Sequence, residues 1–259
     1  MKWLLETVAV AFAMFSAIPM PRIDWKRENM RCALGAFPLV GAVIGLAWWG
    51  WALLAERLAL PAVLRGAVLC VLPALLTGGI HLDGYADVSD ALASHASPAR
   101  RREILRDAHI GAFAAIRLCV YFAVYFGLCC AVEPTATALW CAGIGFTLSR
   151  ALSAAALTVF PLAEGSSLAR TFADAADKSL VRGVVGAEVL LCAVALCGVG
   201  GYAGCAVVCA AAIVFARYAH TAKTQFGGIS GDLAGWFLQK AELWMLLALV
   251  AVQAMEARI

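Results

Sequence analysis

Apolar residues in this chain come in long blocks separated by shorter polar stretches, rather than alternating with polar residues or recurring on one helical face. Blocks at about 33–55, 62–80, 109–132, 136–160, 183–199, 201–218 and 241–257 are each close to the roughly 18 residues needed to cross about 30 Å of hydrocarbon. A helix that is apolar all round is solvated by lipid or buried by protein. The pattern therefore predicts an all-α fold, a polytopic transmembrane helical bundle of seven to eight membrane helices in a single domain over 1–259. The segment 3–18 is either the eighth crossing or a helix lying at the interface. No small-residue cleavage site follows Lys2 and the first apolar stretch, so that stretch is not read as a removed signal peptide.

Composition agrees. With 259 residues, 63% hydrophobic and 14% charged, the chain holds more apolar side chain than a soluble domain could bury, and lipid must be its partner. Ten cysteines lie mostly inside apolar blocks without a Cys-x-x-Cys pair, which reads as small apolar packing. A net charge of +3 gives no reason to expect nucleic acid. Gly41 with Gly45, and Gly183 with Gly186, allow helices to approach closely, within one chain or between copies in a homo-oligomer.

Charge placement orients the bundle. The polar stretches 19–32, 81–108, 161–182 and 219–240 alternate with short connections near Arg57, at Glu133-Pro134 and at 198–201. If every block crosses once, the four long stretches share one side. They carry Arg22, Lys26, Arg27 and Arg31, then Arg100, Arg101, Arg102 and Arg106, then Arg170, Lys178 and Arg182, then Arg217, Lys223 and Lys240, against little beyond Arg57 and Arg65 opposite. The positive-inside rule makes that side cytosolic; the membrane is expected to be the inner, cytoplasmic one.

The chemistry concentrates on the same side. In the stretch from Thr77 to Asp90, Asp83, Asp87 and Asp90 are spaced i, i+4, i+7, which puts three carboxylates on one helix face. Their repulsion is relieved by water or by a cation, and Mg²⁺ suits carboxylate together with phosphate oxygens. His81 is either a packing residue or a ligand or proton carrier. Asp107 lies before the next apolar block, where it favours a helix N-terminus or completes the metal set. Gly227, Gly228 and Gly231 surround Asp232, a loop whose amides suit phosphate and whose carboxylate suits a cation. Arg117 and Arg150 fall about ten residues inside their blocks, roughly 15 Å deep, where charge is costly and marks function by default. Arg150 is the preferred pyrophosphate contact.

These stretches resemble the cobalamin synthase family. Residues 78–90 match its Gly-Gly-x-His-Leu-Asp-Gly-x-Ala-Asp-x-x-Asp motif at every fixed position; Glu103 to Asp107 with Gly111, Gly227-Gly228 with Gly231-Asp232 and Gly235, Ser149-Arg150, and Pro19, Pro21, Phe37-Pro38-Leu39 and Gly41 resemble its further motifs in order. Glu242 falls on an acidic position. Ala17, Ala108, Ser230 and Gln239 depart from residues the family often carries. The resemblance implies Mg²⁺-dependent transfer of adenosylcobinamide phosphate from adenosylcobinamide-GDP to α-ribazole or α-ribazole 5′-phosphate, with release of GMP. On that reading Asp83, Asp87, Asp90, Asp107 and Asp232 are the metal candidates, with Asp90 or His81 handling the attacking hydroxyl. Two other classes compete. A CDP-alcohol phosphotransferase or prenyltransferase would carry Asp-Gly-x-x-Ala-Arg or Asp-Asp-x-x-Asp, both absent. A coupled transporter would place its acids near mid-membrane, whereas these gather on one face.

Overall fold

A computed structural model describes residues 2–22, 27–107, 109–164 and 167–258; Lys26 and Ala108 lie outside them. The fold is a helical membrane bundle. Its elements are α1 (Lys2–Phe15), α2 (Arg27–Met30), α3 (Ala33–Arg57), α4 (Ala62–Thr77), α5 (Ile80–Ala93), α6 (Pro98–Ile104), α7 (Ala112–Ala131), α8 (Ala136–Val159), α9 (Ser167–Ala175), α10 (Lys178–Thr221), a π-helical turn (Ala222–Phe226) and α11 (Gly231–Glu256). Among the described residues α3, α7, α8, α11 and the run from α10 through the π turn are long and apolar enough to cross a bilayer. The α4 and α5 pair passes the same test together but is bent by 95°. α1 is 14 residues long, about 21 Å at 1.5 Å per residue, which is short of a full crossing.

α10 contains its own reversal. Gly201 adopts φ 53°, ψ −127°, a conformation open to glycine and costly for other residues. A Cβ at Gly204 would collide with the Leu196 backbone, and Cys197 interacts with Cys205 and Cys209. The chain therefore folds back on itself, and α10 is two antiparallel rods, as the separate blocks 183–199 and 201–218 predict.

Helix packing follows from small residues. Gly41 and Gly45 of α3 are pressed on the backbone of α8, the latter 2.6 Å from the Gly143 carbonyl when a Cβ is added. Nothing lies within 4 Å of a Cβ at Gly183 or Gly186, so this second pair makes no contact within the chain.

The two ends of the bundle are tied differently. At one end all four long polar stretches meet: Arg31 pairs with Asp177, Leu162 and Ile229 form a parallel β-bridge, and Arg101 donates to the Gln225 side-chain carbonyl. At the other end Arg65 donates to the Val132 carbonyl at 3.1 Å, and the Gln253 amide exchanges hydrogen bonds with the Glu133 backbone at 3.2 and 2.9 Å. The common side read from charge placement is thus a common end in space.

Candidate active site

Two helix starts build the site. α4 ends on Gly78 (φ 64°) and Gly79 (φ 79°), consecutive left-handed residues that only glycine adopts cheaply. They turn α5 away by 95° and bring the His81 to Asp90 segment across the first turns of α11. That helix starts at Ser230, whose hydroxyl accepts from the Leu233 N–H at 3.2 Å, an ordinary N-cap. It begins ten residues before the apolar block at 241 because Leu233, Phe237, Leu238 and Gln239 are buried against neighbours. Polar residues at its start hide a continuous helix.

Glycines let the two helices touch. A Cβ at Gly84 would lie 2.6 Å from the Asp232 carbonyl oxygen and 2.8 Å from its Cα; one at Gly235 would lie 2.9 Å from the His81 carbonyl. Both neighbours are backbone and cannot swing away. Gly84→Ala is therefore expected to displace Asp232, costing about 1–3 kcal/mol of stability and about 10²-fold in turnover through misplacement. Melting and kcat/KM measurements check this, with Gly183→Ala, whose Cβ meets open space, expected to match the parent.

The contact gathers acids. Asp87 is half-buried at the centre, and Asp83, Asp232 and Asp90 all act on it electrostatically. Asp83 is exposed, and Ser230 hydrogen-bonds the Asp232 carboxylate. Asp90 is shared with another helix. Its carboxylate accepts from the Ala114 N–H at 3.2 Å and presses on Gly111, so an acid from α5 caps α7 and satisfies one of its free amides. Among the described residues none of the four is in an ion pair.

Other expected members are elsewhere. Asp107 is exposed and accepts from the His109 backbone N–H at 3.0 Å, with the His109 ring Nδ1 at 2.7 Å; those bonds hold its carboxyl below the usual carboxylate range. It is not among the charges acting on Asp87, and the expected five-acid set is not assembled. His81 is 5% exposed, packed against the Phe37 ring at 5.9 Å, with Nε2 lacking a partner among the described residues. Arg150 is fully buried and paired with Glu242, donating also to the Phe146 carbonyl at 3.2 Å and Ser149 Oγ at 3.0 Å. This corrects its reading as a pyrophosphate contact: the guanidinium is inside the bundle. Arg117, expected deep in its span, is the sixth residue of α7 and exposed.

The glycine loop also departs from its reading. Gly228 abuts Pro161 to Ala163 so closely that a Cβ would lie 2.5 Å from the Ala163 nitrogen. The Gly228 and Ile229 amides bond the Ala222 and Pro161 carbonyls at 3.0 and 2.9 Å. Gly228 therefore docks backbone on backbone, and the open parts of the loop are Gly227, exposed beside the Arg102 guanidinium, and Gly231 at the start of α11. Sequence reasoning used Arg101 and Arg102 only for orientation, yet both reach this loop. Arg102 donates to the Phe226 carbonyl at 3.2 Å and faces Glu164 at 3.6 Å. A run of arginines beside an acidic motif was the available signal.

Mg²⁺ fits this group by charge and donor type. Among the described residues no three His, Cys, Asp or Glu side chains close around a common ion position. Mg²⁺ seldom uses an all-protein cage, taking one or two carboxylates together with phosphate oxygens and water, and clustered acids lacking any side-chain cation match that habit.

The architecture defines a multi-pass membrane protein with one acidic site, built where two helices start at one end of the bundle. The chain belongs to the cobalamin-5-phosphate synthase family, whose model matches residues 7–250. It is 39% identical over 98% of its length, and 96% of the relative's, to an adenosylcobinamide-GDP ribazoletransferase of Lachnoclostridium phytofermentans. Proteins of that name from Clostridium botulinum strain Alaska E43 and Mesorhizobium japonicum are each 28% identical over 94% of this chain, covering 96% and 92% of their own lengths. No solved structure matches.

Proposed function

We infer that this chain is the ribazole transferase of its family: it moves adenosylcobinamide phosphate from adenosylcobinamide-GDP to a hydroxyl of α-ribazole or α-ribazole 5′-phosphate and releases GMP. The observation that carries the reading is the junction of the 78–90 motif with Gly231-Asp232, two separated family motifs pressed together through Gly84 and Gly235.

The residues divide the work. Asp83, Asp87 and Asp232 would hold Mg²⁺, which would supply neutralisation of phosphate charge and polarisation at phosphorus. Asp90 fixes α5 to α7 and thereby aims the other acids. Arg102 is the arginine best placed for the pyrophosphate, beside Gly227 at the rim. His81, deep beside the Phe37 ring and within reach of the Arg150 charge, positions α5 against α11. Hydroxyl attack then forms one P–O bond as the bond to GMP breaks, and a carboxylate of the group takes the hydroxyl proton.

Purified protein given adenosylcobinamide-GDP and α-ribazole is expected to form GMP and the joined product with Mg²⁺ and neither after chelation. Folded protein that turns over neither ribazole form in the presence of Mg²⁺ would sink the assignment.

The site end is assigned to the cytosol from its Arg and Lys excess. Single cysteines in place of exposed Arg106 and Thr224, with native accessible cysteines removed, are expected to label from the cytosolic side. A cysteine in place of exposed Thr135 should label from the opposite side. Labelling of positions 106 and 224 from opposite sides contradicts a shared face.

A further inference from the structure

Several arginines at the site end have partners: Arg31 with Asp177, Arg100 with Glu103, Arg102 with Glu164, Arg101 with Gln225, and Arg182 with the Thr158 carbonyl. Arg117, Arg217 and Lys240 are not among these. Among the described residues no acid pairs with them, and Arg217 and Lys240 lie together on the outer flank where the second rod of α10 runs beside α11. Arg117, from α7, and Arg217 both act electrostatically on Lys240. The Lys240 ammonium rests 4.6 Å from the Trp236 ring centroid, an arrangement familiar at the membrane–water boundary.

Below these cations runs a groove of about 530 Å³. Arg217, Trp236 and Lys240 line one end, and its walls continue along Ile213 and Trp244 to Ala251. Ile213 is 63% exposed and Trp244 48%, so the groove opens outward. From Trp236 to Ala251 a helix rises roughly 22 Å, most of a bilayer's hydrocarbon thickness. Unpaired positive charge at the boundary above an apolar trough of that length is complementary to one kind of neighbour: a lipid with an anionic head.

We propose that the groove between the second rod of α10 and α11 is a binding site for an anionic phospholipid, with its phosphate between Arg217 and Lys240 and an acyl chain along Ile213 and Trp244 toward Ala251. The lipid neutralises cations that have no acid partner among the described residues, and it braces the hairpin whose connecting loop leads into Gly231 and Asp232. Charge selects the headgroup; the trough distinguishes a seated lipid from loose attraction to a charged surface.

Delipidated full-length protein in neutral detergent is given phosphatidylglycerol or phosphatidylcholine at equal concentration, and retained lipid is read by native mass spectrometry. Phosphatidylglycerol is expected to be retained about tenfold better, since each cation near an anionic surface contributes a several-fold preference. In R217Q/K240Q the ratio falls to about one. Ala210, on the second rod of α10, also lines the trough; Ala210→Trp fills it and leaves both charges in place, and it is expected to remove phosphatidylglycerol as well. Gel filtration of each variant establishes that it is folded. Equal retention of the two lipids by the parent, or unchanged preference in folded R217Q/K240Q, overturns the proposal. So does retention of phosphatidylglycerol in folded Ala210→Trp. A fourth arm supplies inorganic phosphate; binding of phosphate without phosphatidylglycerol would make the cations a site for a soluble anion instead.

Discussion

Asp87→Asn is expected to make the protein inactive and, without metal, slightly more stable. Asp87 is the acid on which the other three act, and its spacing to Asp83 and Asp90 is i−4 and i+3 on α5. Each such like-charged pair costs a few tenths of a kcal/mol, so removing the central charge should return about 0.5–1 kcal/mol in chelator. The same change removes a donor from the proposed Mg²⁺ site. Loss of several kcal/mol of charge stabilisation at phosphorus lowers turnover about 10³-fold. The parent should gain thermal stability from millimolar Mg²⁺ and the variant should gain little. Melting curves with and without metal, beside product formation, check all three. A variant that unfolds, or that keeps both its metal response and its turnover, contradicts an acid group held together for a cation.

Breaking the Arg150–Glu242 pair is expected to have the largest effect on folding. Arg150 is 0% exposed and Glu242 4%, and Arg150 Nε and Nη2 and Glu242 Oε2 lack partners among the described residues. Either single replacement, Arg150→Met or Glu242→Leu, leaves an unpaired charge inside the bundle and should cost about 3–5 kcal/mol, whereas the double replacement should recover most of that loss. Denaturant titration of the four proteins gives the coupling directly. Equal and additive losses would mean that the two groups act independently. Turnover of the folded double variant then reports whether the guanidinium has any task besides holding α8 to α11.

These two predictions mark where sequence reading succeeds and where it stops. The acid face of α5 is legible because i, i+4, i+7 spacing is local geometry, whereas the bend at Gly78-Gly79 is hidden inside an apolar block that runs on to residue 80. The blocks are legible because lipid imposes a length that soluble folds do not. Arg150 is visible as costly, but its partner stands 92 residues away and no local pattern pairs them. The glycine loop misleads for a similar reason. A glycine that lets a phosphate approach and one that lets a distant backbone approach look alike until Pro161 to Ala163 lies against Gly228. Asp90 takes the helix-capping role that sequence offered Asp107, reaching α7, while Asp107 binds its near neighbour His109.

The site's dependence on Gly231-Asp232 sets a schedule for the ribosome. Asp83, Asp87 and Asp90 are translated and inserted more than a hundred residues before Asp232. Through that interval the nascent chain carries crowded carboxylates with no α11 to lean on, while Arg150 waits unpaired for Glu242. Insertion of one late helix answers both debts together. Catalytic competence and structural integrity therefore arrive in the same step of biogenesis, and a chain interrupted before that helix has neither.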